Sequence, residues 1–279
     1  MTVKLGGKGT GMMVTKAAVN KNFGNLRNGV DVKDFASYSP ANIQSCITLL
    51  SHGNAALLSA AETLPSGCVA EMMVVAGDFT LDGYEGTEQF SKAQSMIPHP
   101  MYNKSSNNAD IMLIKLSSPI ELNKYVSLAP LPKQNTGPLA GRMCRVSGWG
   151  STSHSGGQIP LTLRTVRLPI ISTAKCNSSQ SFNGNITVNM ICAGMRAGGM
   201  DACKGDSGGP LVCDGRVYGL VSWGNGCGDP RFPGVYTAVS RKVMSVAEDY
   251  GLEILERETS PRSSYPDDAS ITLAFDIVK

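Results

Sequence analysis

The sequence predicts a loop-rich, all-β protein, and three observations predict it. Hydrophobic residues make up 42% of the 279-residue chain, and 31 Gly and 15 Pro interrupt it too often for a helical bundle. Short apolar stretches bounded by turn residues recur as candidate strands: Val69–Val75, Asn108–Leu116, Cys144–Gly150, Leu163–Ile170, Asn189–Gly194, Val217–Trp223 and Val235–Val239. The eight cysteines (Cys46, Cys68, Cys144, Cys176, Cys192, Cys203, Cys213 and Cys227) include no C-x-x-C pair, which argues against zinc and for disulfides made in an oxidising compartment.

The bulk numbers exclude some classes of function. A net charge of +3 is too small to argue for nucleic acid or an anionic membrane surface. No run approaches the roughly 18 apolar residues of a membrane span. At this length one large or two small domains can each bury a core.

In chain order, residues 1–67 show neither a period of 2 nor one of 3.6, and are expected to form an atypical, poorly ordered segment. Met1–Asn20 lacks the continuous apolar core of a signal peptide, which conflicts with the cysteines, and the cysteines carry more weight. After the strand Val69–Val75 comes the acidic, glycine-containing loop Gly77–Glu88. Asp110 then stands at the mouth of an apolar run, as a strand cap or as the orienter of a histidine. Pro130–Pro138 reads as a connection between two halves, 68–132 and 133–257. Arg241–Arg257 reads as a helix with Met244, Ala247 and Leu255 on one face, and Glu258–Lys279 as a solvated polar tail. Glycosylation acceptors occur at Asn103, Asn177 and Asn185.

The most informative stretch is Asp201-Ala202-Cys203-Lys204-Gly205-Asp206-Ser207-Gly208-Gly209-Pro210. A serine among glycines needs a backbone that turns sharply and can be approached closely. A nucleophilic serine has that need, because its hydroxyl and nearby N–H groups must face one carbonyl. The competing readings are a plain Gly-rich turn and the G-x-S-x-G elbow of the α/β-hydrolases. The elbow requires a histidine after the serine, and none follows Ser207.

From Cys68 to Val239 the chain resembles the trypsin-like (chymotrypsin-fold) serine endopeptidases, through this stretch, Asn108–Leu116 and Cys144–Gly150. The resemblance implies two antiparallel β-barrels with a C-terminal helix, the first barrel incomplete because residues 1–67 depart from the family. It implies Ser207 as nucleophile, Asp110 as orienter of the base, and the N–H groups of Gly205 and Ser207 as oxyanion donors. Asp201 would floor a pocket for Lys or Arg, with Gly224 and Gly234 as walls that must lack side chains and Ser222–Gly224 pairing with substrate backbone. The implied disulfides are Cys144–Cys213, Cys176–Cys192 and Cys203–Cys227, leaving Cys46 and Cys68 paired together or free.

The same resemblance makes Gly77–Glu88 a candidate calcium loop, with carboxylates from Asp78, Glu85 and Glu88 and carbonyls from Thr80 and Gly83. A plain acidic hairpin is the competing reading. No other cofactor is expected. The implied partners are protein or peptide substrates bearing Lys or Arg and protease inhibitors, acting on an extracellular monomer, without nucleic acid or membrane.

Two parts of the family pattern are missing. Where the catalytic histidine belongs, Leu57-Leu58-Ser59-Ala60-Ala61-Glu62-Thr63 offers Glu62, 48 residues before Asp110. The three histidines, His52, His99 and His154, read as solvated surface residues. Nor is there an activation site that would free an amine for Asp206; Lys4-Leu5-Gly6-Gly7 is a poor match. A differing first coding segment would account for these departures together. An inactive relative that keeps the Lys/Arg pocket is therefore the alternative function.

Overall fold

The structure, a computed structural model, describes residues 73–81, 83–127, 129–153 and 160–240, with the backbone of four short strands outside them. Three of those strands lie near the start: β1 (Thr2–Val3), β2 (Met12–Met13) and β3 (Lys16–Ala18). They are followed by β4 (Met73–Ala76), β5 (Gln89–Pro98) and β6 (Met112–Ile120). The second half holds β7 (Met143–Gly148), β8 (Arg164–Ile171), β9 (Met190–Ala193), β10 (Pro210–Cys213), β11 (Arg216–Trp223) and β12 (Gly234–Ala238). A helical turn α1 (Thr173–Cys176), capped by the Ser172 hydroxyl, separates β8 from β9.

The protein is all-β, as expected. Strands β7 to β12 close into an antiparallel barrel in the order β10-β11-β12-β9-β8-β7. The first half forms a five-stranded sheet, β13-β6-β5-β4-β3, in which β13 is Ala269–Ala274. Two expectations change here. Lys16–Ala18, from the segment expected to lack order, pairs with β4, and Ala269–Ala274, expected in a solvated tail, pairs antiparallel with β6. Both cover strand edges whose N–H and C=O groups would otherwise lack ladder partners. The expected helix Arg241–Arg257 lies outside the described residues, as do Cys46, Cys68, Glu62, His52 and His154.

The run that begins β6 is apolar at successive positions because it is buried on both faces. Met112, Ile114 and Leu116 pack with Val74, Ala76 and Val126 in the first sheet. Ile111 and Leu113 point the other way, into a cluster with Trp149, Val212, Leu220 and Val239 of the barrel half. This alternation fixes the residue immediately before the run, Asp110, at the junction of the two halves. The barrel is filled by Val146, Leu168, Leu211, Val221 and Tyr236. Each fully buried side chain of this size contributes about 1.5–3 kcal/mol of burial free energy.

Candidate functional site

The glycine-rich stretch forms the loop entering β10. Gly205 (φ +93°) and Gly208 (φ +75°) both occupy left-handed backbone, which explains the glycines in Gly-Asp-Ser-Gly. The loop is tied to β11 by Gly208 N–H to Val221 O at 2.8 Å and Val221 N–H to Gly209 O at 2.9 Å. The next residue on β11, Ser222, is 2% exposed and donates its hydroxyl to Asp110 Oδ2 at 2.5 Å. Adjacent positions of one strand thus hold Ser207's loop and the carboxylate of Asp110, which lie 97 residues apart in the chain (207 minus 110). The sequence points to Ser222 only through its backbone; the hydroxyl bond to Asp110 has no signal there.

Asp110 itself is 3% exposed. It follows Ala109, which is buried and held at φ +53°, and Ile111 N–H closes a tight turn back to Ala109 O at 2.9 Å. A β-carbon in left-handed backbone costs about 1–2 kcal/mol.

Asp201 lies two residues before Cys203, whose disulfide to Cys227 joins the Ser207 loop to the segment after β11. Its carboxylate accepts Ala202 N–H at 2.8 Å through Oδ1 and Gly228 N–H at 2.9 Å through Oδ2. Burial pushes its pKa above the usual carboxylate range, the two N–H bonds oppose that shift, and nearby Asp206 adds to it. Gly234, on β12, is buried beside it, and Tyr236, two residues along the same face, has its hydroxyl fully buried. Burial raises the Tyr236 pKa well above its ordinary value, and Asp201 and Asp206 add to the shift. Gly224 is exposed and a β-carbon there would meet only Gly226 O, at 3.7 Å.

Asp206 is held by backbone donors from two segments. Its Oδ1 accepts Gly150 N–H at 2.8 Å and its Oδ2 accepts Cys203 N–H at 2.9 Å. Burial raises its pKa against these two bonds. It faces a cavity of about 420 Å³ that Asp201, Gly148, Gly150, Arg164 and Met200 also line.

All three implied disulfides of this half are present: Cys144–Cys213, Cys176–Cys192 and Cys203–Cys227. In the acidic loop, ligand-type oxygens of Asp78, Glu85 and Glu88 lie within 4.8 Å of one another. Glu85 accepts from Phe79 N–H, Thr80 N–H and the Thr80 hydroxyl, and Glu88 from Glu85 N–H and Thr87 N–H. Gly83 stands exposed in the same loop.

One reading needs correction. His99, expected at the surface, is 7% exposed, and its Nδ1 accepts Met101 N–H at 3.1 Å. The reason is that His99 N–H reaches Ile111 O, which folds the segment against the start of β6. Of the glycosylation acceptors, Asn177 has its amide committed at both ends to the backbone of Ile186.

A family model described as Trypsin matches residues 38–246 of the chain, thirty residues further toward the start than the motifs alone reach. The chain is 49% identical to Trypsin-3 of Salmo salar over 170 residues, covering 61% of this chain and 70% of that protein. It is 46% identical to Trypsin of Sus scrofa over 174 residues, covering 62% and 74% of the two chains. Against Trypsin I-P1 of Gallus gallus the identity is 44% over 187 residues, covering 67% and 72%. The chain therefore belongs to the trypsin family and is, by family, a serine endopeptidase.

Proposed function

We propose that this chain cleaves peptide bonds after Lys or Arg, with Ser207 as nucleophile. The observation that carries the reading is the seating of the Ser207 loop and of Asp110 on neighbouring residues of β11, Val221 and Ser222. The Ser207 oxygen attacks the substrate carbonyl, which becomes an oxyanion, and its proton passes to a base. The base is the one member of the machinery for which this chain carries no histidine at the family's position, Glu62 standing there instead. The N–H groups of Gly205 and Ser207 stabilise the oxyanion's charge. The oxyanion then collapses, the C–N bond breaks as the base returns the proton to the leaving amine, and water hydrolyses the acyl-Ser207 ester by the same route to free the serine. Asp110, buried and held by Ser222, orients the base and stabilises its protonated form.

Specificity follows from Asp201. A buried carboxylate whose partners are backbone N–H groups gains most from a cationic group that offsets its desolvation. Gly224 and Gly234 leave the approach to it free of side chains. Natural partners are accordingly proteins or peptides carrying Lys or Arg, and protease inhibitors that present such residues. The three disulfides and the family fit an extracellular setting.

The acidic loop is the structural calcium site in this reading. Oxygens sharing one Ca²⁺ at 2.3–2.6 Å lie no more than about 5 Å apart, and those of Asp78, Glu85 and Glu88 fall within 4.8 Å. Such an ion would neutralise three neighbouring carboxylates; the carbonyls of Thr80 and Gly83 are candidate further ligands.

A second reading is favoured by one observation: Glu62 stands at the sequence position of the base. A carboxylate there is too weak a base and repels Asp110, so the chain would bind basic side chains without cutting. The discriminating experiment combines labelling by a serine-directed phosphonate, turnover of an arginyl substrate and binding of benzamidine. All three positive supports the endopeptidase; benzamidine binding alone supports the second reading.

A further inference from the structure

The turn that presents Asp110 is fastened to the barrel at a second point, which the serine mechanism does not use. Asn108 Oδ1 accepts the Thr187 hydroxyl at 2.8 Å and Asn189 Nδ2–H at 3.0 Å. Both donors belong to the barrel half, 79 and 81 residues further along the chain. They are organised independently of Asn108: Asn189 N–H bonds the Thr187 hydroxyl at 3.3 Å, and Asn189 O takes Ala238 N–H at 2.8 Å at the end of β12. On the other side, the peptide of Asn108 is anchored in its own loop by Asn103 N–H to Asn108 O at 3.0 Å.

The two attachments straddle one strand. Ser222 sits on β11 and Asn189 leads into β9, and β12 lies between β11 and β9 in the barrel. A turn fastened at one side of a strand can rock about that attachment. A second bond, two residues away and on the far side of β12, opposes the rocking. It also opposes relaxation of Asn107 and Ala109, both held at φ +53°.

We infer that Asn108 is a positioning residue for Asp110: its side-chain oxygen, gripped by Thr187 and Asn189 of the opposite half, sets the direction in which the Asp110 carboxylate points. The inference rests on the proteolytic reading for its consequence in catalysis, and on the turn geometry alone for the grip itself. The grip lies on the Asp110 side of the molecule, apart from the Asp201 pocket, so it governs the chemical step and not the capture of a basic side chain.

The test uses the full chain with Asn108→Leu, Thr187→Val, their combination, and Thr187→Ser, which keeps the hydroxyl. Amide exchange is read over residues 105–113, alongside the rate of phosphonate labelling and the affinity for benzamidine. Loss of the grip raises exchange over 107–111 and slows labelling roughly tenfold, with benzamidine affinity unchanged. Because Asn189 still holds Asn108 in Thr187→Val, that variant shows the smaller effect. The double variant is no worse than Asn108→Leu alone, and Thr187→Ser restores both readouts. Unchanged exchange over 107–111, additive effects, or a parallel fall in benzamidine affinity overturns the inference. If the parent chain is not labelled at all, the proteolytic reading fails, while the exchange measurement still decides for or against the grip.

Discussion

A β-carbon built on Gly234 would lie 3.0 Å from Asp201 Oδ1 and 3.2 Å from the Tyr236 hydroxyl oxygen. The space over the Asp201 carboxylate is therefore narrow and open only because residue 234 has no side chain, and an added methyl occupies the room a guanidinium or ammonium needs. Gly234→Ala is expected to weaken benzamidine and arginyl-substrate binding by about 10–200-fold with the fold intact. Titration calorimetry beside a thermal melt checks this, and unchanged affinity would remove Gly234 from the pocket.

Asp201 carries a pH dependence in two senses. Its pKa is raised by burial, so the carboxylate protonates above the usual range, and affinity for a cationic ligand falls as pH drops through that raised value. Stability of the ligand-free protein moves the other way. The folded state holds its proton more tightly than the unfolded one, so this group favours folding below the unfolded pKa of 3.8, and that contribution is lost as pH rises through the folded value. Asp201→Asn should abolish the pH dependence of affinity, reduce that of stability to the share Asp206 carries, and lower benzamidine affinity by about 100-fold or more. Binding isotherms and denaturation midpoints across acidic pH measure the two senses separately.

Gly148 and Gly150 exist to let Asp206 in. A β-carbon on Gly148 would overlap Asp206 Oδ1, and one on Gly150 would lie 2.5 Å from its Cγ. Either Gly→Ala change must displace Asp206, and with it the Cys203 and Gly150 N–H bonds that shape the Ser207 loop. We expect a loss of about 1–3 kcal/mol in stability and collapse of phosphonate labelling. Full labelling by Gly148→Ala would show that the loop does not depend on Asp206.

Calcium should act through Phe79. Its carbonyl accepts Trp149 Nε1–H and Leu163 N–H, both at 3.0 Å, while its own N–H bonds Glu85 Oε2 at 2.9 Å. One residue thus links the acidic loop to the barrel beside Gly150. Added Ca²⁺ is expected to raise the thermal midpoint, by an amount equivalent to about 2.7 kcal/mol at a hundredfold excess over Kd. The double variant Asp78→Asn, Glu88→Gln should show no such rise, and a chelator should return the parent to the variant's midpoint.

The fold class, the three disulfides and the serine loop are legible in composition, in the cysteines and in the family resemblance of the Asp201–Pro210 stretch. The strands and the serine loop are legible because short apolar runs and glycines at φ > 0 write themselves into local sequence, whereas the pairing of the cysteines is legible only through the family resemblance. The same locality explains what is not legible. The buried setting of His99 goes with a bond from its N–H to Ile111 O across a turn, and the strand Ala269–Ala274 pairs with an edge of β6 more than 140 residues away. Nothing near either segment encodes its partner.

The sequence by itself determined which atoms could do chemistry: a hydroxyl at 207 flanked by glycines, and carboxylates at 110, 201 and 206. Only the tertiary structure decided which donors hold each carboxylate. It gave Asp110 the hydroxyl of Ser222, Asp206 the N–H of Gly150 and Asp201 the N–H of Gly228. The physical reason is that a buried charge is defined by the donors that reach it, and closing the barrel brings those donors from strands far apart in the chain.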